Sequence, residues 1–353
     1  MRFVVTGGAG FIGSFVVDQL IGLGHEVTVV DNLDPAAHAE RPGYLNDRAD
    51  YRWTDVRDRS TWDVAEGADG IAHLAGKVGL GVDFGDTNDY VSHNDVGTAV
   101  GLTALHELRW SGRVALASSM VVYGEGRYRC DVHGDARPGP RSPATMKAGD
   151  FEPPCPECGR PLASVEIAEE TPTKPRNVYA ATKLHQEHLC AAFESSHDVA
   201  VAALRFHNVY GPRMPQLTPY AGVASIFLSA LAAGRPPQVF EDGGQTRDFV
   251  HVSDVAASVV AALTSREAHS GAFNVASGEP RTVLDMARAL ADAVDPALVP
   301  EVVGGWREGD VRHVVASPQK LRTTFDLMPQ VRFADGVREL AGASLRRPPL
   351  RRE

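Results

Sequence analysis

Long apolar runs, clustered basic residues and cysteines are all scarce in this 353-residue chain. No uninterrupted apolar stretch reaches the length of about 18 residues that a membrane-spanning helix needs, so we expect no membrane partner. The net charge is −10 and the basic clusters are short, which argues against nucleic acid as a partner. Of the four cysteines, three fall in one short segment and the fourth, Cys190, is expected to be a buried small hydrophobe.

What is present is typical of an ordinary globular protein. Apolar residues make up 43% of the chain and charged residues 23%. The length allows one large or two fused domains, each with its own core. Because the first residues run directly into a predicted strand, there is no room for a signal peptide, and we expect a cytoplasmic location.

A glycine-rich turn follows the first predicted strand, Arg2–Thr6. Beyond the turn, Phe15–Leu23 is predicted to be a helix and His25–Val30 a second buried strand, closed by an acidic residue. Such glycines let the backbone approach a pyrophosphate at the helix N-terminus, and the acidic residue accepts hydrogen bonds from ribose hydroxyls, which favours NAD over NADP. The NAD-binding residues expected in this unit are Gly7, Gly10, Phe11, Ile12, Gly13, Asp31 and Asn32.

Strands and helices continue to alternate after this unit. Tyr51–Asp55, Gly70–Leu74 and Val114–Ser118 are predicted strands, and Val96–Arg109 is a predicted helix. This alternation predicts an α/β fold with a Rossmann-type, doubly wound parallel sheet that binds ligands at the C-terminal ends of its strands. Polar and small residues at these ends, expected to contact NAD, are Asp55, Val56, Leu74, Ala75, Lys77 and Asn94.

Tyr179 and Lys183 lie four residues apart and would share one face of a helix. A phenol has a pKa of about 10, too high for a base at neutral pH. A fixed ammonium favours the phenolate, so we expect Lys183 to lower the pKa of Tyr179 and the pair to exchange a proton with a substrate hydroxyl. Tyr and Lys at this spacing also occur by chance on exposed helix faces. The catalytic interpretation therefore depends on the dinucleotide-binding motif upstream.

These motifs together resemble the extended short-chain dehydrogenases/reductases, specifically the branch of nucleotide-sugar epimerases and dehydratases. The resemblance extends from Arg2 to about Asp326. The motifs that carry it are Gly7-Gly-Ala-Gly-Phe-Ile-Gly13, Asp31-Asn32-Leu33, His73-Leu-Ala75, Ser118-Ser119, Tyr179-x-x-x-Lys183, Arg205-Phe-His-Asn208-Val-Tyr-Gly-Pro-Arg213 and Gly244-Gln-Thr-Arg247-Asp-Phe-Val-His251-Val.

The resemblance implies a role for each matching residue. Tyr179 would be the general base, Lys183 would hold the nicotinamide ribose of NAD, and Ser119 would hydrogen-bond the reacting oxygen. The substrate would be a dTDP-, UDP- or GDP-sugar, and the family is commonly homodimeric. The substrate-binding residues that the resemblance implies are Ser119, Met120, Asn208, Arg247, Arg307 and Asp310, with the arginines and Asn208 on the diphosphate.

The residues after Ser119 bear on the reaction. Family dehydratases carry an Asp-Glu pair there, and the decarboxylases carry a Glu two residues before the tyrosine at the position of Tyr123. This chain has Met120 and Val121, which cannot move protons. We therefore expect a 4-epimerase that forms a transient 4-keto sugar and returns hydride to the opposite face. A 4-ketoreductase or dehydrogenase, and a non-catalytic NAD- or sugar-nucleotide-binding protein, remain the alternatives.

A cysteine-rich insertion, residues 127–165, separates the Ser119 segment from Tyr179. Cys130 and His133 form one close pair and Cys155 and Cys158 a second, which is the ligand spacing of a structural zinc ribbon. The segment is poor in large apolar residues, so a metal would supply the missing stabilisation. Unrelated free thiols or a disulfide are the alternatives. Sequences resembling dTDP-L-rhamnose 4-epimerases carry a similar insertion, which favours a deoxysugar substrate.

The expected domain organisation follows from these assignments. Residues 1–204 would form the NAD-binding domain with the insertion inside it. Residues 205–345 would form mainly a smaller, interleaved substrate-binding domain, with residues 247–278 returning to the main sheet. Residues 346–353 would be a frayed tail.

Overall fold

The computed structural model describes residues 1–79, 84–216, 222–307 and 309–346. Among these residues no helix is long and apolar enough to cross a membrane. Of the predicted tail, 346–353, only Arg346 lies within the described residues. The strands are β1 (Arg2–Thr6), β2 (Glu26–Val30), β3 (Asp50–Arg52), β4 (Gly70–His73), β5 (Gly112–Ser119), β6 (Arg127–Cys130), β7 (Gly134–Ala136), β8 (Ala163–Val165), β9 (Val199–Phe206), β10 (Asn208–Tyr210), β11 (Gln238–Val239), β12 (Thr246–His251), β13 (Gly271–Val275), β14 (Pro280–Thr282), β15 (Glu301–Val302) and β16 (His313–Val314).

The helices lie mostly between these strands. The α-helices are α1 (Phe11–Gly22), α2 (Thr87–Tyr90), α3 (Gly97–Glu107), α4 (Pro143–Lys147), α5 (Val178–Glu194), α6 (Val223–Ala232), α7 (Val252–Thr264), α8 (Val283–Val294), α9 (Gln319–Phe325) and α10 (Phe333–Gly342). Short 3₁₀ segments are Arg59–Ala65, Phe84–Asp86 and Met120–Tyr123, and Val91–Val96 is a π-helix that runs directly into α3.

A seven-stranded sheet in the order β13-β9-β5-β4-β1-β2-β3 forms the centre of the molecule. All its strand pairs are parallel. Strands that need helical crossovers on both faces are buried on both faces, which explains their continuous apolar sequences. The predicted Rossmann-type α/β fold is confirmed, although β3 is shorter than predicted and leaves Asp55 in the following loop.

Two apolar cores cover the two faces of this sheet. Helices α1 and α7 pack on one face, where Val5 of β1 is fully buried. Helices α3 and α5 pack on the other face, where the neighbouring Val4 is buried with Trp62. Because successive strand residues point to opposite faces, one short strand serves both cores. Cys190 of α5 is buried in the second core, as predicted.

A second, four-stranded sheet carries the smaller C-terminal part. Its order is β10-β12-β14, and β16 pairs with β12. Helices α6, α8 and α10 share a separate core with this sheet. We expected residues 247–278 to return to the main sheet, but only β13 does so, whereas β12 belongs to the smaller sheet. β12 pairs instead with β10, β14 and β16, and its buried Asp248 accepts three hydrogen bonds from Ser277 and Gly278, in the loop between β13 and β14.

The insertion folds as a three-stranded antiparallel sheet in the order β7-β6-β8. Its buried apolar cluster contains only Tyr128, Cys130, Cys155 and Leu162. A cluster of this size cannot offset the conformational entropy lost by ordering some forty residues. The insertion therefore depends on other interactions for its stability.

Candidate active site

The turn between β1 and α1 forms a cradle that only glycine permits. Gly7 has a φ of +71°, and a Cβ there would meet the Ala75 nitrogen at 2.8 Å. A Cβ on Gly13 would lie 2.1 Å from the Gly7 carbonyl oxygen. Gly10 precedes α1 without a side-chain cap, so the N–H groups of Phe11 and Ile12 open the helix without a side-chain partner. The cradle fits the pyrophosphate of a dinucleotide.

The acidic residue after β2 is held rigidly beside this cradle. Both carboxylate oxygens of Asp31 accept backbone hydrogen bonds, one from Ala9 at 3.0 Å and one from Leu33 at 2.9 Å. Next to it, the amide of Asn32 donates to Asp55 at 2.8 Å. Asp55 also pairs with Arg57, whose guanidinium holds the pKa of that carboxyl well below its usual range. The predicted adenosine-side residues thus lie together.

The loop after β4 connects the cradle to the catalytic helix. The hydroxyl of Thr6 accepts from the N–H groups of Leu74 and Ala75 at 3.2 and 3.1 Å. Asn94, fully buried in the π-helix, accepts from the Lys77 N–H at 2.7 Å and donates to Thr182 at 2.9 Å. The Asn94 amide therefore connects this loop to α5 through hydrogen bonds. π-helical turns recur at functional sites for such reasons.

Tyr179, Lys183 and Ser119 meet at the C-terminal end of β5. Asn177 caps α5 by accepting from the Ala180 N–H at 2.8 Å, which places Tyr179 and Lys183 in its first two turns. The Lys183 ammonium donates to the Ala117 carbonyl at 2.9 Å. The Ser119 hydroxyl lies near enough to the Tyr179 phenol to lower its pKa. The three predicted catalytic residues are brought together.

The ionisation of this pair differs from our expectation. Burial raises the pKa of Tyr179 to about 12, and the nearby Ser119 hydroxyl opposes this rise only in part. Burial also lowers the pKa of Lys183 to about 8, against the opposing charges of Asp95 and Glu187. The expected lowering of the Tyr179 pKa by Lys183 is thus absent, because loss of water disfavours both charged forms.

A buried polar network behind the catalytic residues was missed by sequence reasoning. Glu187 accepts a hydrogen bond from Ser118 and a bidentate pair from Arg205, at 3.0 and 2.7 Å. Arg205 also donates to the Tyr123 hydroxyl at 2.8 Å, and Tyr123 donates to Asn274 at 2.7 Å. The signal available was Glu187 itself, four residues after Lys183 and hence on the same face of α5.

The predicted substrate-binding residues are only partly assembled. The guanidinium of Arg247 is buried and lies 3.5 Å from Asp310. The side-chain oxygen of Asn208, on the neighbouring strand β10, is buried without a hydrogen-bond partner. Arg307, in contrast, is exposed and stacks over the Phe240 ring, and no contact joins it to Asn208 or Arg247 within the described ranges. Met120 packs beside Ser119 in a small apolar cluster.

The four predicted metal ligands converge in the insertion. The Cys130 sulfur lies 3.7 Å from the Cys158 sulfur, and His133 Nδ1 lies 3.5 Å from the Cys155 sulfur. All four ligand atoms are within 4.8 Å of one another. A tetrahedral zinc ion requires ligand separations of about 3.6–3.8 Å. Backbone N–H groups of Cys158 and Glu157 lower the pKa of Cys155 to about 6, which favours a thiolate ligand.

A Rossmann-type sheet whose glycine cradle faces a Tyr-x-x-x-Lys helix defines an extended short-chain dehydrogenase/reductase. The chain matches the NAD dependent epimerase/dehydratase family over residues 3–146 and 154–276, with the gap inside the insertion. The chain belongs to this family.

Individual relatives match nearly the whole chain. It is 33% identical over 346 residues to the dTDP-L-rhamnose 4-epimerase of Burkholderia thailandensis, covering 96% of this chain and 93% of the relative. It is 31% identical over 343 residues to the UDP-glucose 4-epimerase of Mycolicibacterium smegmatis, covering 96% of each. The Thermus thermophilus UDP-glucose 4-epimerase in complex with NAD has a similar structure, with a TM-score of 0.76, 29% identity and coverage of 97% and 98%.

Proposed function

We propose that this protein is an NAD-dependent nucleotide-sugar 4-epimerase, an isomerase that works through a transient 4-keto sugar. The observation that carries the proposal is the pair Met120 and Val121 on the turn beside Ser119 and Tyr179. The carboxylates on either flank, Glu125 and Glu187, are already paired with Arg176 and Arg205. Among the residues that the structure describes, the site has a base for a hydroxyl but no acid poised to eliminate a neighbouring group. Relatives named as 4-epimerases support the same reaction.

The residues divide the chemistry between them. Bound NAD supplies the hydride acceptor and donor, together with a positively charged nicotinamide ring. Tyr179 would act as the phenolate, which the positive charge of a bound nicotinamide ring would favour; it would take the proton from the C4 hydroxyl and return it to the oxygen of the epimer. Ser119 holds that oxygen by a hydrogen bond, and Lys183 holds the nicotinamide ribose near the phenol. Met120 and Val121 are half-buried apolar side chains, and they would let the ketone turn between the two hydride transfers without making hydrogen bonds to it.

Two sets of side chains would hold the ligands. The cradle of Gly7, Gly10 and Gly13 would receive the NAD pyrophosphate, and Asp31 the adenosine ribose. On the substrate side, Asn208 and Arg247 would bind the diphosphate, since the NH2 group of the Asn208 amide and the buried Arg247 guanidinium are donors that suit phosphate oxygens. Arg307 would join them by moving from Phe240, and Asp310 would contact the nucleotide.

A cofactor-free assay tests the reaction. The purified protein would be incubated with dTDP-, UDP- and GDP-sugars without added NAD, and the products followed by NMR. We expect NAD to copurify and at least one sugar nucleotide to equilibrate with its C4 epimer. Turnover that consumed NAD or NADPH stoichiometrically would instead assign a dehydrogenase or 4-ketoreductase. Tight sugar-nucleotide binding without turnover would assign a non-catalytic binding protein.

We further propose that Cys130, His133, Cys155 and Cys158 bind a structural zinc ion. The ligand separations and the absence of an adequate core in the insertion support this. Four protein ligands would leave no open position for catalysis. Metal analysis of the purified protein should find about one zinc per chain, and Cys155→Ser should lose it. Chains with two cysteines oxidised to a disulfide, and without metal, would contradict the proposal.

We also propose that the protein is a cytoplasmic homodimer. The exposed Val91 and Val96, on the helical segment that packs against the Tyr–Lys helix, offer an apolar contact for a second copy. Light scattering after size exclusion should give twice the mass of one chain. A monomer at micromolar concentration would contradict this.

A further inference from the structure

A buried arginine joins the insertion to the smaller domain. Arg312 precedes β16, and its side chain is 3% exposed. Its guanidinium donates to Glu152 of the insertion at 2.8 and 2.6 Å. On the other side it donates to Glu241 at 2.8 Å and to Asp242 at 2.7 and 2.9 Å. These bonds use all five of its N–H donors, so Arg312 has none left for a ligand.

A second buried arginine joins the same two parts, but it lies in the insertion and reaches into the smaller domain. Arg141 belongs to the insertion, and its side chain is 4% exposed. It forms a bidentate pair with Glu241, both contacts at 2.9 Å, and donates to the backbone carbonyl of Asp310 at 2.8 Å. We call Arg141, Glu152, Glu241 and Arg312 the interdomain clamp. It fixes the insertion to the segment of residues 310–312.

That segment in turn orients Arg247. The Arg247 guanidinium donates to the backbone carbonyls of Arg312 at 2.9 Å and Val311 at 2.7 Å. The only side-chain partner of this guanidinium in the described part of the chain is Asp310, at the long distance of 3.5 Å. The carbonyls hold the group in place, and the weak contact with Asp310 is the one that an incoming phosphate would replace.

We propose that Arg141 and Glu152 are positioning residues: from the insertion they hold residues 310–312, and through these the Arg247 guanidinium, where it receives the substrate diphosphate. This rests on the proposed function, which makes Arg247 a diphosphate ligand. The insertion thereby supports the substrate site and is not only a surface addition.

Buried ion pairs suit such a role better than a role in stability. Their desolvation offsets most of their attraction, so they add little net stability, yet removing one partner leaves an uncompensated buried charge. Two further bonds define the docking orientation: His313 Nε2 lies 2.9 Å from Glu152, and the His313 N–H donates to Tyr128 of β6 at 3.1 Å. The clamp therefore determines position more than it determines unfolding free energy.

A double-mutant cycle with Glu152→Gln and Arg247→Ala tests the proposal. The Kd for free UDP, dTDP or GDP, whichever the wild type binds, would be measured by calorimetry. A displaced guanidinium should raise Kd about tenfold or more in Glu152→Gln, because small displacements of positioned groups are costly. In the Arg247→Ala background the same change should raise Kd less than about twofold. For Glu152→Gln alone, kcat should change little, and its NAD and metal content should match those of the wild type.

The controls separate the possible failures. Glu166→Gln removes the same charge at an exposed position beside the insertion and should bind like wild type. Arg141→Lys keeps the positive charge but cannot form the bidentate pair with Glu241. It therefore replaces Glu152→Gln in the double-mutant cycle if Glu152→Gln does not fold. Equal Kd for wild type and both clamp variants, or equal effects in both Arg247 backgrounds, overturns the positioning role alone. A wild type that binds no diphosphate overturns the proposed function and this inference together.

Discussion

The hydroxyl of Tyr179 is the single group on which the proposed chemistry depends. Tyr179→Phe keeps the ring in its buried site but removes the proton acceptor, so kcat should fall by about 10²–10⁴-fold. NAD content and nucleotide-sugar affinity should stay near those of the wild type. NMR rates with the accepted sugar nucleotide, and calorimetry, measure both. Tyr51→Phe, on β3 away from the site, is the matched control; a Tyr179→Phe enzyme as active as this control would refute the mechanism.

Residue spacing predicted that Tyr179 and Lys183 lie together, but it did not predict their ionisation. Tyr179 and Lys183 were identified because two residues four apart share a helix face. Their pKa values depend on how completely α5 is covered by the sheet and by the π-helix, which no local pattern encodes. The same limit hid the network of Glu187, Ser118 and Arg205, whose members lie on three elements distant in the chain.

Helix α1 contains two glycines that should respond oppositely to alanine. At Gly13 a Cβ would lie 2.1 Å from the Gly7 carbonyl oxygen, so Gly13→Ala must open the cradle. We expect loss of copurified NAD. At Gly22, the end of the same helix, a Cβ meets nothing within 4 Å. Gly22→Ala should retain NAD and stabilise the protein by up to about 1 kcal/mol. Absorbance of bound cofactor and urea unfolding measure both effects; retained NAD in Gly13→Ala would contradict the cradle.

His73, which ties β4 to β1 and α3, should make stability depend on pH. Its ring lies 2.8 Å from the Thr6 hydroxyl and 3.0 Å from that of Thr98, and burial lowers its pKa to about 3. In the unfolded chain the ring has a pKa of about 6.5, so below that pH it binds a proton that the folded protein does not bind. The neutral His73 ring therefore contributes fully to the free energy of unfolding above about pH 6.5. That contribution is lost as the pH falls toward 3, and the free energy of unfolding decreases by at most about 1.4 kcal/mol per pH unit.

His73→Asn should flatten this dependence. Urea unfolding between pH 4.5 and 7.5 should show a smaller decrease in the free energy of unfolding for the variant than for the wild type. The exposed His188 provides the control, since His188→Asn should keep the wild-type slope. Identical slopes for all three proteins would show that His73 is not buried in its neutral form.

Elements with strong local patterns were predicted well, and elements defined by tertiary pairing were not. The strands of the main sheet are continuous apolar runs, and their type and order followed from alternation with helices. Strand β12 has a similar local pattern, yet it pairs with β10, β14 and β16 of the smaller sheet. Those partners lie far along the chain, beyond what local periodicity reports.

At the scale of the whole molecule, the insertion should be a separate unit of stability. Two of the four residues in its buried cluster, Cys130 and Cys155, are themselves proposed zinc ligands. Removing the metal would leave Tyr128 and Leu162 in that cluster, with Met146 and Phe151 as the other buried apolar side chains of the insertion, too little to keep residues 127–165 ordered. The main sheet has cores of its own on both faces and should remain folded.

A chelator strong enough to remove zinc should therefore separate the two units. We expect rapid proteolytic cleavage within residues 127–165, while bound NAD and the main calorimetric transition persist. Cys155→Ser should behave like the chelated wild type. Cys190→Ala is the control, since it removes a buried cysteine from the main core instead. It should keep its zinc and resist cleavage in the insertion, although the temperature of its main calorimetric transition should fall. If NAD were lost together with zinc, the insertion would support the whole fold. If the insertion lost its zinc and still resisted cleavage, the interdomain clamp alone would keep it ordered.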